Sequence, residues 1–286
     1  NKIDDAGFTE VDLRLLAILA GQSSQVLENA RLREQEMHLL RLRQEVELAA
    51  SIQAHLLPTE MPQVEGYEIV ATARPAAAVG GDYYDVLSRA HGCLDLCVGD
   101  VSGKGIPAAL LMAHLQATSR GQACQQWSCV GCIERSNDFI FRCTSDSKFA
   151  TFFYARLDAS QHELCFCNAG HNPPLLFSGD DEPLRLEAHG TPLGMLEGVE
   201  YSEQTIPLRP GDLLVIYSDG VTEAMNVRNE QLGEPRLIDG LQSHRLQPAS
   251  EVLKRVLDVV HDHVGEQEQS DDLTLMILKR SEDEPP

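Results

Sequence analysis

The sequence predicts an α+β protein with a largely antiparallel sheet, preceded by one long helix. Three observations predict it. Residues 12 to about 57 follow a helical pattern, with Gly21 as the one glycine and no proline before Pro58. After Pro58 and Pro62, strand-like apolar runs take over at residues 67–73, 94–101, 149–157, 163–168, 175–178, 213–218 and 273–278. Two helical stretches interleave with these runs, one from Pro107 to about Gln122 and one from Ala249 to about Val264. Strands dominate and helices arrive in separated pieces, so a strict βαβ alternation is excluded.

The long helix opens on Thr9 followed by Asp12, an N-cap with an acidic first turn. Leu32, Leu39 and Val46 recur every seven residues, and Leu42, Ala49 and Leu56 fill the complementary heptad position. Leu40, Leu48 and Ile52 widen that stripe, with arginines and glutamates covering the rest. A lone helix with so broad an apolar stripe is not stable in water. It must pack on a partner copy or on the domain that follows, and a homodimer through this helix is expected. The helix at Pro107 begins with proline at a first-turn position, where the missing N–H is not needed. Residues 122–147 give no readable pattern.

Two apolar runs stop on an aspartate followed by a glycine turn: Val98-Gly99-Asp100-Val101-Ser102-Gly103 and Ile216-Tyr217-Ser218-Asp219-Gly220. A third run starts after a carboxylate pair, Asp271-Asp272-Leu273-Thr274. A strand ending on Asp and an antiparallel strand beginning on Asp bring both carboxylates to one sheet edge. With Gly80-Gly81-Asp82, four acidic points converge without His or Cys beside them. Clustered carboxylates repel unless a cation lies between them, and all-oxygen ligation suits a hard ion such as Mg²⁺ or Mn²⁺.

The chain has 286 residues, 43% of them hydrophobic, enough for one large domain or a domain with an extension. Its net charge of −21 argues against non-specific binding to nucleic acid or anionic membrane. No apolar stretch approaches 18 residues and no signal peptide is visible, so a cytoplasmic protein with no membrane contact is expected. Asn1 stands where an initiator Met would, which reads as truncation from a longer protein. Of the eight cysteines, Cys129 and Cys132 form a C-x-x-C, with Cys124 before and Cys143 after. A zinc site built on that pair needs a second close pair at suitable spacing, which this region lacks. Cys93, Cys97, Cys165 and Cys167 lie in strand-like segments, so reduced thiols acting as small hydrophobes are expected.

Gly103-Lys104-Gly105 fails as a nucleotide P-loop, because Ile106 stands where the Walker pattern needs Lys-Ser/Thr after its glycine. Tyr83-Tyr84 after Gly80-Gly81-Asp82 departs from the GGDEF signature of diguanylate cyclases. The ordered set VGGDYYD (79–85), GDVSGKGIPAALLMA (99–113), NAGHNPPLL (168–176), YSDGVTEA (217–224) and SDDLTLMIL (270–278) resembles bacterial SpoIIE/RsbU-type serine/threonine phosphatases of the metal-dependent PPM family. The lead-in SIQAHLLP (51–58) is similar to their IQ-x-x-LLP regulatory helix, and residues 8–34 resemble the closing helix of a GAF sensor domain.

The resemblance implies a two-layer β-sandwich flanked by helices, with two divalent ions, Mn²⁺ or Mg²⁺, at one end. Carried over by motif, Asp100 bridges both metals and the Val101 carbonyl completes one site. Asp82 holds the second metal, and Asp219 with Asp271 holds the first, with Asp272 in support. Asp100 and Asp219 are then the carboxylates on which catalysis rests, through a water acidified by the two ions. Asp85, Glu223 and His171 receive no role, and His171 reads as a turn residue. Ser102 stands where eukaryotic relatives place a His, and Arg74 lies too far before Asp82 to align as their phosphate-binding Arg. Lys104 or water is left for those duties. The implied substrate is a phosphoprotein, a STAS-domain anti-sigma-factor antagonist in a partner-switching pathway. A catalytically inactive dimeric binding module is the alternative, and a nucleotidyl cyclase a weaker third. The implied division is a GAF remnant at 1–34, a coiled-coil linker at 35–62, a catalytic domain at 63–281 and a disordered tail at 282–286.

Overall fold

A computed structural model describes residues 8–89, 92–123, 125, 127–144, 148–179, 182–187 and 190–282. Cys124 and residues 283–286 of the expected tail lie outside the described residues. The chain divides into two compact units, residues 1–49 and 50–286. Helix α1 (Glu10–Leu56) forms the described part of the first unit and reaches into the second. Its start is a reciprocal cap: the Thr9 amide donates to Asp12 Oδ2 at 2.8 Å, and the Asp12 amide donates to Thr9 Oγ1 at 3.4 Å. Along the first unit, Leu32, Leu39 and Leu42 of the heptad stripe are exposed.

The second unit is a sandwich of two antiparallel sheets. One sheet orders its strands β1 (Tyr67–Arg74), β10 (Leu273–Arg280), β9 (Leu213–Tyr217), β6 (Leu175–Phe177) and β7 (Leu184–Arg185). The other orders β2 (Tyr83–Ser88), β3 (Cys93–Val101), β4 (Ala150–Asp158), β5 (Glu163–Ala169) and β8 (Gln204–Pro207). Helices α2 (Ile106–Ala123) and α3 (Cys129–Cys143) pack on the second sheet. On the first lie α5 (Glu234–Gln242) and α6 (Ala249–Val264), while the short α4 (Asp219–Thr222) follows β9.

Three apolar layers follow from this stacking. Between the sheets lie Leu96, Val98, Phe153, Phe166, Ile216 and Met276. Alternate residues of the same strands face outward to the helices: Tyr154 and Cys167 toward α2 and α3, Leu275 and Ile277 toward α6. Both faces of each sheet are covered, so the central strands read as continuous apolar runs rather than alternating ones. The buried Asp95 of β3 is compensated by Arg156 Nε at 2.9 Å and the Tyr154 hydroxyl at 2.5 Å.

The expected α+β class and helix-flanked sandwich are both observed. Strands β2, β7 and β8 and helices α3 and α5 had no counterpart in the sequence pattern. Two of those strands, β7 and β8, are short edge pieces without an apolar run. Helix α3 occupies the stretch that was unreadable, its start capped by Ser128, whose Oγ accepts from the Gly131 amide.

Candidate active site

Register places the acidic points at one end of the sandwich. Strand β3 runs up to Asp100 and Val101 there, and Tyr83, first residue of β2, sits opposite Gly99. Across the sandwich, Tyr217 at the end of β9 pairs with Leu275, and Arg74 at the end of β1 pairs with Leu273. Asp82 precedes β2, Asp219 opens α4 after β9, and Asp271 and Asp272 precede β10. The Val101 carbonyl points at the same turn, since a Cβ on Gly81 would lie 2.7 Å from it. Asp82, Asp100, Val101, Asp219 and Asp271 are thus brought to one end of the unit.

Asp272 is the knot of this end. Its Oδ1 accepts the Ala76 amide at 2.8 Å and its Oδ2 the Gly81 amide at 2.6 Å. Gly80 and Gly220 lie so close to Asp272 that neither has room for a Cβ. Ser218 closes the arrangement: its hydroxyl donates to Asp82 Oδ2 at 2.8 Å and accepts the Thr274 amide at 2.9 Å. Both oxygens of Asp272 are committed to backbone donors, whereas Asp271 is half exposed with Lys104 Nζ at 3.0 Å. Lys104 also donates to the Ser270 carbonyl. Lys148 Nζ donates to the Ser102 carbonyl at 2.9 Å and packs against Gly103.

The electrostatics are those of buried carboxyls crowded against one another. Burial, then the neighbouring Asp219, Asp271 and Asp272, push the Asp100 carboxyl up from 3.8 to about 7. Burial and then Asp100 push Asp82 well above its ordinary value. Asp219 is raised as well, by burial and then by Asp271 and Glu223. Asp82 accepts from the Ser218 hydroxyl and lies close enough to Asp100 for the two charges to repel. Crowded carboxyls of this kind are relieved by a divalent cation, and their oxygens fit a hard metal. Among the described residues, no three of these side-chain carboxylates bring an oxygen each within 4.8 Å of one another.

Other candidates fall outside the centre. Asp85 faces α2, where Arg120 Nε donates to it at 2.7 Å. His171 is buried, its Nδ1 2.9 Å from Thr151 Oγ1 and its amide donating to Asn168 Oδ1 at 2.8 Å. Burial lowers its pKa to about 4, so the ring is neutral and structural. Sequence reasoning set Arg74 aside and gave no role to Lys148 or Gln53. Arg74 stands at the carboxylate end because β1 is paired with β10. It borders a groove of about 230 Å³ shared with Gly220, His261 and Ser270. Lys148 reaches the Gly103 turn from the start of β4. Gln53 of α1 makes a two-way bond with Gly80, its Nε2 donating to the carbonyl at 2.7 Å and its Oε1 accepting the amide at 3.0 Å. The IQ of the lead-in motif was the visible signal for Gln53.

Comparison with known proteins decides the family. Residues 90–281 match the model of Stage II sporulation protein E. The chain belongs to the SpoIIE family of PP2C-type serine/threonine phosphatases. It is 30% identical over 267 residues to phosphoserine phosphatase RsbU of Bacillus subtilis, covering 93% of this chain and 78% of RsbU. Among solved structures, the RsbU and RsbW domains of Rv1364c from Mycobacterium tuberculosis align at TM-score 0.68 and 29% identity, over 80% of this chain and 64% of that one. The SiaA-PP2C domain of Pseudomonas aeruginosa aligns at TM-score 0.72 and 22% identity, over 84% and 97% of the two chains, and supports the fold alone. PstP, a fold neighbour at TM-score 0.56 and 14% identity (75% of this chain, 98% of that one), was solved with 2 manganese ions.

The raised carboxyl of Asp100 has a definite consequence for stability. Between 3.8 and about 7 the folded protein holds a proton that the unfolded chain releases. Stability of the metal-free protein therefore falls as pH rises through that window. Thermal melts in chelator should show wild type losing stability between roughly pH 4 and pH 7 relative to Asp100→Asn, with Mn²⁺ restoring more at the upper end. Parallel pH profiles for the two metal-free proteins would refute the assignment.

Proposed function

We propose that this chain dephosphorylates phosphoserine or phosphothreonine on a protein, with two divalent ions, Mn²⁺ or Mg²⁺, held by Asp82, Asp100, the Val101 carbonyl, Asp219 and Asp271. The observation that carries this is the gathering of Asp82, Asp100, Asp219 and Asp271 at one sandwich end, fixed by strand register and the Asp272 and Ser218 bonds, where burial and mutual repulsion raise the carboxyls of Asp82, Asp100 and Asp219 in pKa. Bound there, the ions would supply Lewis acidity and water of lowered pKa. The chain's own residues do the rest. Asp82 and Asp100 hold fixed positions through Ser218 and the strand ends. Arg74 at the groove, with Lys104 and Lys148 beside the Gly103 turn, draws the phosphate dianion to the carboxylate end and offsets its charge. The groove bordered by Arg74, Gly220 and Ser270 opens beside this end. His171, neutral and enclosed, does not donate a proton to the leaving oxygen; solvent at this open end does.

The similarity to phosphoserine phosphatase RsbU supports a substrate from a partner-switching pathway, and a phosphorylated STAS-domain protein is our reading. Residues 35–62 serve as a regulatory linker between a sensor remnant at 1–34 and the catalytic domain at 63–281. Gln53 is the residue through which that linker reaches the Asp82 turn. The exposed heptad leucines of α1 support a homodimer through this helix. Among the described residues no helix is long and apolar enough to cross a membrane.

Asp100→Asn and Asp219→Asn should each abolish Mn²⁺-dependent phosphate release from a phosphoprotein while leaving the circular dichroism spectrum unchanged. Near wild-type turnover at saturating Mn²⁺ in both would overturn the metal assignment. Gln53→Ala removes two buried hydrogen bonds from the Gly80 turn, each worth about 1 kcal/mol. The Mn²⁺ concentration for half activity should rise by up to roughly thirtyfold for that amount, and an unchanged midpoint would sever the linker from the site. Leu42→Asp places a charge on the heptad stripe, and light scattering should show the dimer dissociating. A monomeric wild type would dispose of the dimer.

A further inference from the structure

Among the described residues, one trio of His, Cys, Asp or Glu side chains has its donor atoms all within 4.8 Å of one another: Cys129, Cys165 and Glu203. The C-x-x-C spacing hid this trio, because Cys129 meets a sulfur from a distant strand rather than a second pair on its own segment. Cys129 opens α3, Cys165 lies in the middle of β5 on the face toward α3, and Glu203 precedes edge strand β8. Three independent elements therefore present two sulfurs and one carboxylate to a common point.

The surroundings prepare the group for a cation. The Glu203 carboxylate is anchored by the Val130 amide, which donates to Oε2 at 3.0 Å in the first turn of α3. The Cys129 thiol donates to the Cys165 carbonyl at 3.4 Å, which directs its sulfur onto the neighbouring strand. Cys129 and Cys165 are free thiols, the first buried and the second partly accessible, while Glu203 is exposed. The point thus has two desolvated sulfur donors on the inside and an open approach on the outside.

We propose that Cys129, Cys165 and Glu203 form a second metal site, for a thiophilic divalent ion of the zinc class, separate from the carboxylate centre. Two thiolates at about 2.3 Å from a tetrahedral ion stand roughly 3.8 Å apart, so the observed spacing needs less than about 1 Å of closure. Binding displaces one proton from each thiol, and water fills the fourth position. Sulfur donors favour zinc over the hard ions that suit an all-oxygen centre. The site also lies apart from that centre. Cys165 is level with Arg156, which is opposite Asp95, five residues before Asp100 along β3. At about 3.3 Å per residue, that is roughly 16 Å down the sheet. A bound ion would tie α3, β5 and the edge strand together without touching the phosphatase carboxylates, and the inference does not depend on the proposed reaction.

Cobalt(II) is the probe, because thiolate ligation gives a near-ultraviolet charge-transfer band that an oxygen-only centre cannot give. The reduced, metal-stripped full chain should develop that band with one equivalent of Co²⁺ and lose it on adding Zn²⁺. Asp100→Asn and Cys143→Ser should keep it, while Cys165→Ser should abolish it. Outer partners of a metal alone are worth 10–100-fold in affinity, so loss of a direct ligand in Glu203→Gln, at an exposed position, should weaken Co²⁺ binding by roughly tenfold or more. No thiolate band in wild type, or a band that survives Cys165→Ser, overturns the proposal.

Discussion

Everything at the working end of this molecule depends on holding like charges together. Two carboxylates about 4 Å apart repel by roughly 4 kcal/mol at the effective dielectric of a partly exposed site. The fold meets that cost with backbone dipoles before any ion arrives. Asp272 takes two amides from the turn that carries Asp82, and Ser218 spans from Asp82 to the start of β10. These bonds link segments 191 and 196 positions apart. The glycines at 80 and 220 follow from the same constraint, since a Cβ at either would collide with Asp272. What remains is a set of crowded carboxyls whose repulsion a cation would relieve.

That arrangement survives only on a rigid support. The strands bearing Asp100 and Asp219 are buried on both faces, one sheet under α2 and α3 and the other under α5 and α6. Loops at the end of such strands inherit the precision of the sheets, which is where ligand geometry can be kept. His171 contributes from beneath: its ring meets Thr151, the residue paired with Asp100 across β3 and β4. A neutral, enclosed imidazole there braces the ligand strand without adding a charge of its own.

The fold class and the acidic points were legible because both are short-range signals. A strand ending in Asp-Gly shows its carboxylate directly, and covered sheets write long apolar runs. Arg74, Lys148 and Cys165 were illegible for the opposite reason. Arg74 reaches the site only because β1 lies beside β10, a pairing across the whole catalytic unit. Lys148 gets there through the β3–β4 pairing, and Cys165 meets Cys129 only when α3 lies on β5. Strand β2 was hidden inside VGGDYYD, whose outward Asp85 breaks the apolar alternation because Arg120 neutralises it. Helix α3 was obscured by a polar stretch whose buried Ser136 and Asn137 bond within the fold rather than to solvent.

Hard and soft donors are segregated in this chain, and that segregation has a chemical logic. First-row divalent transition ions bind most mixed sites in an order that puts zinc far above manganese. An oxygen-only centre narrows that preference, because it offers no sulfur or imidazole for zinc to exploit. His171 is turned into the core and the buried cysteines lie on the α3 face, away from the Asp100 turn. The same separation would let a thiolate site beside β8 take up a thiophilic ion where it brackets an edge strand, without competing for the carboxylate end. The two halves of sheet chemistry then act on different properties: oxygen ligation on reactivity at one end, sulfur ligation on the cohesion of helix and strands at mid-sheet.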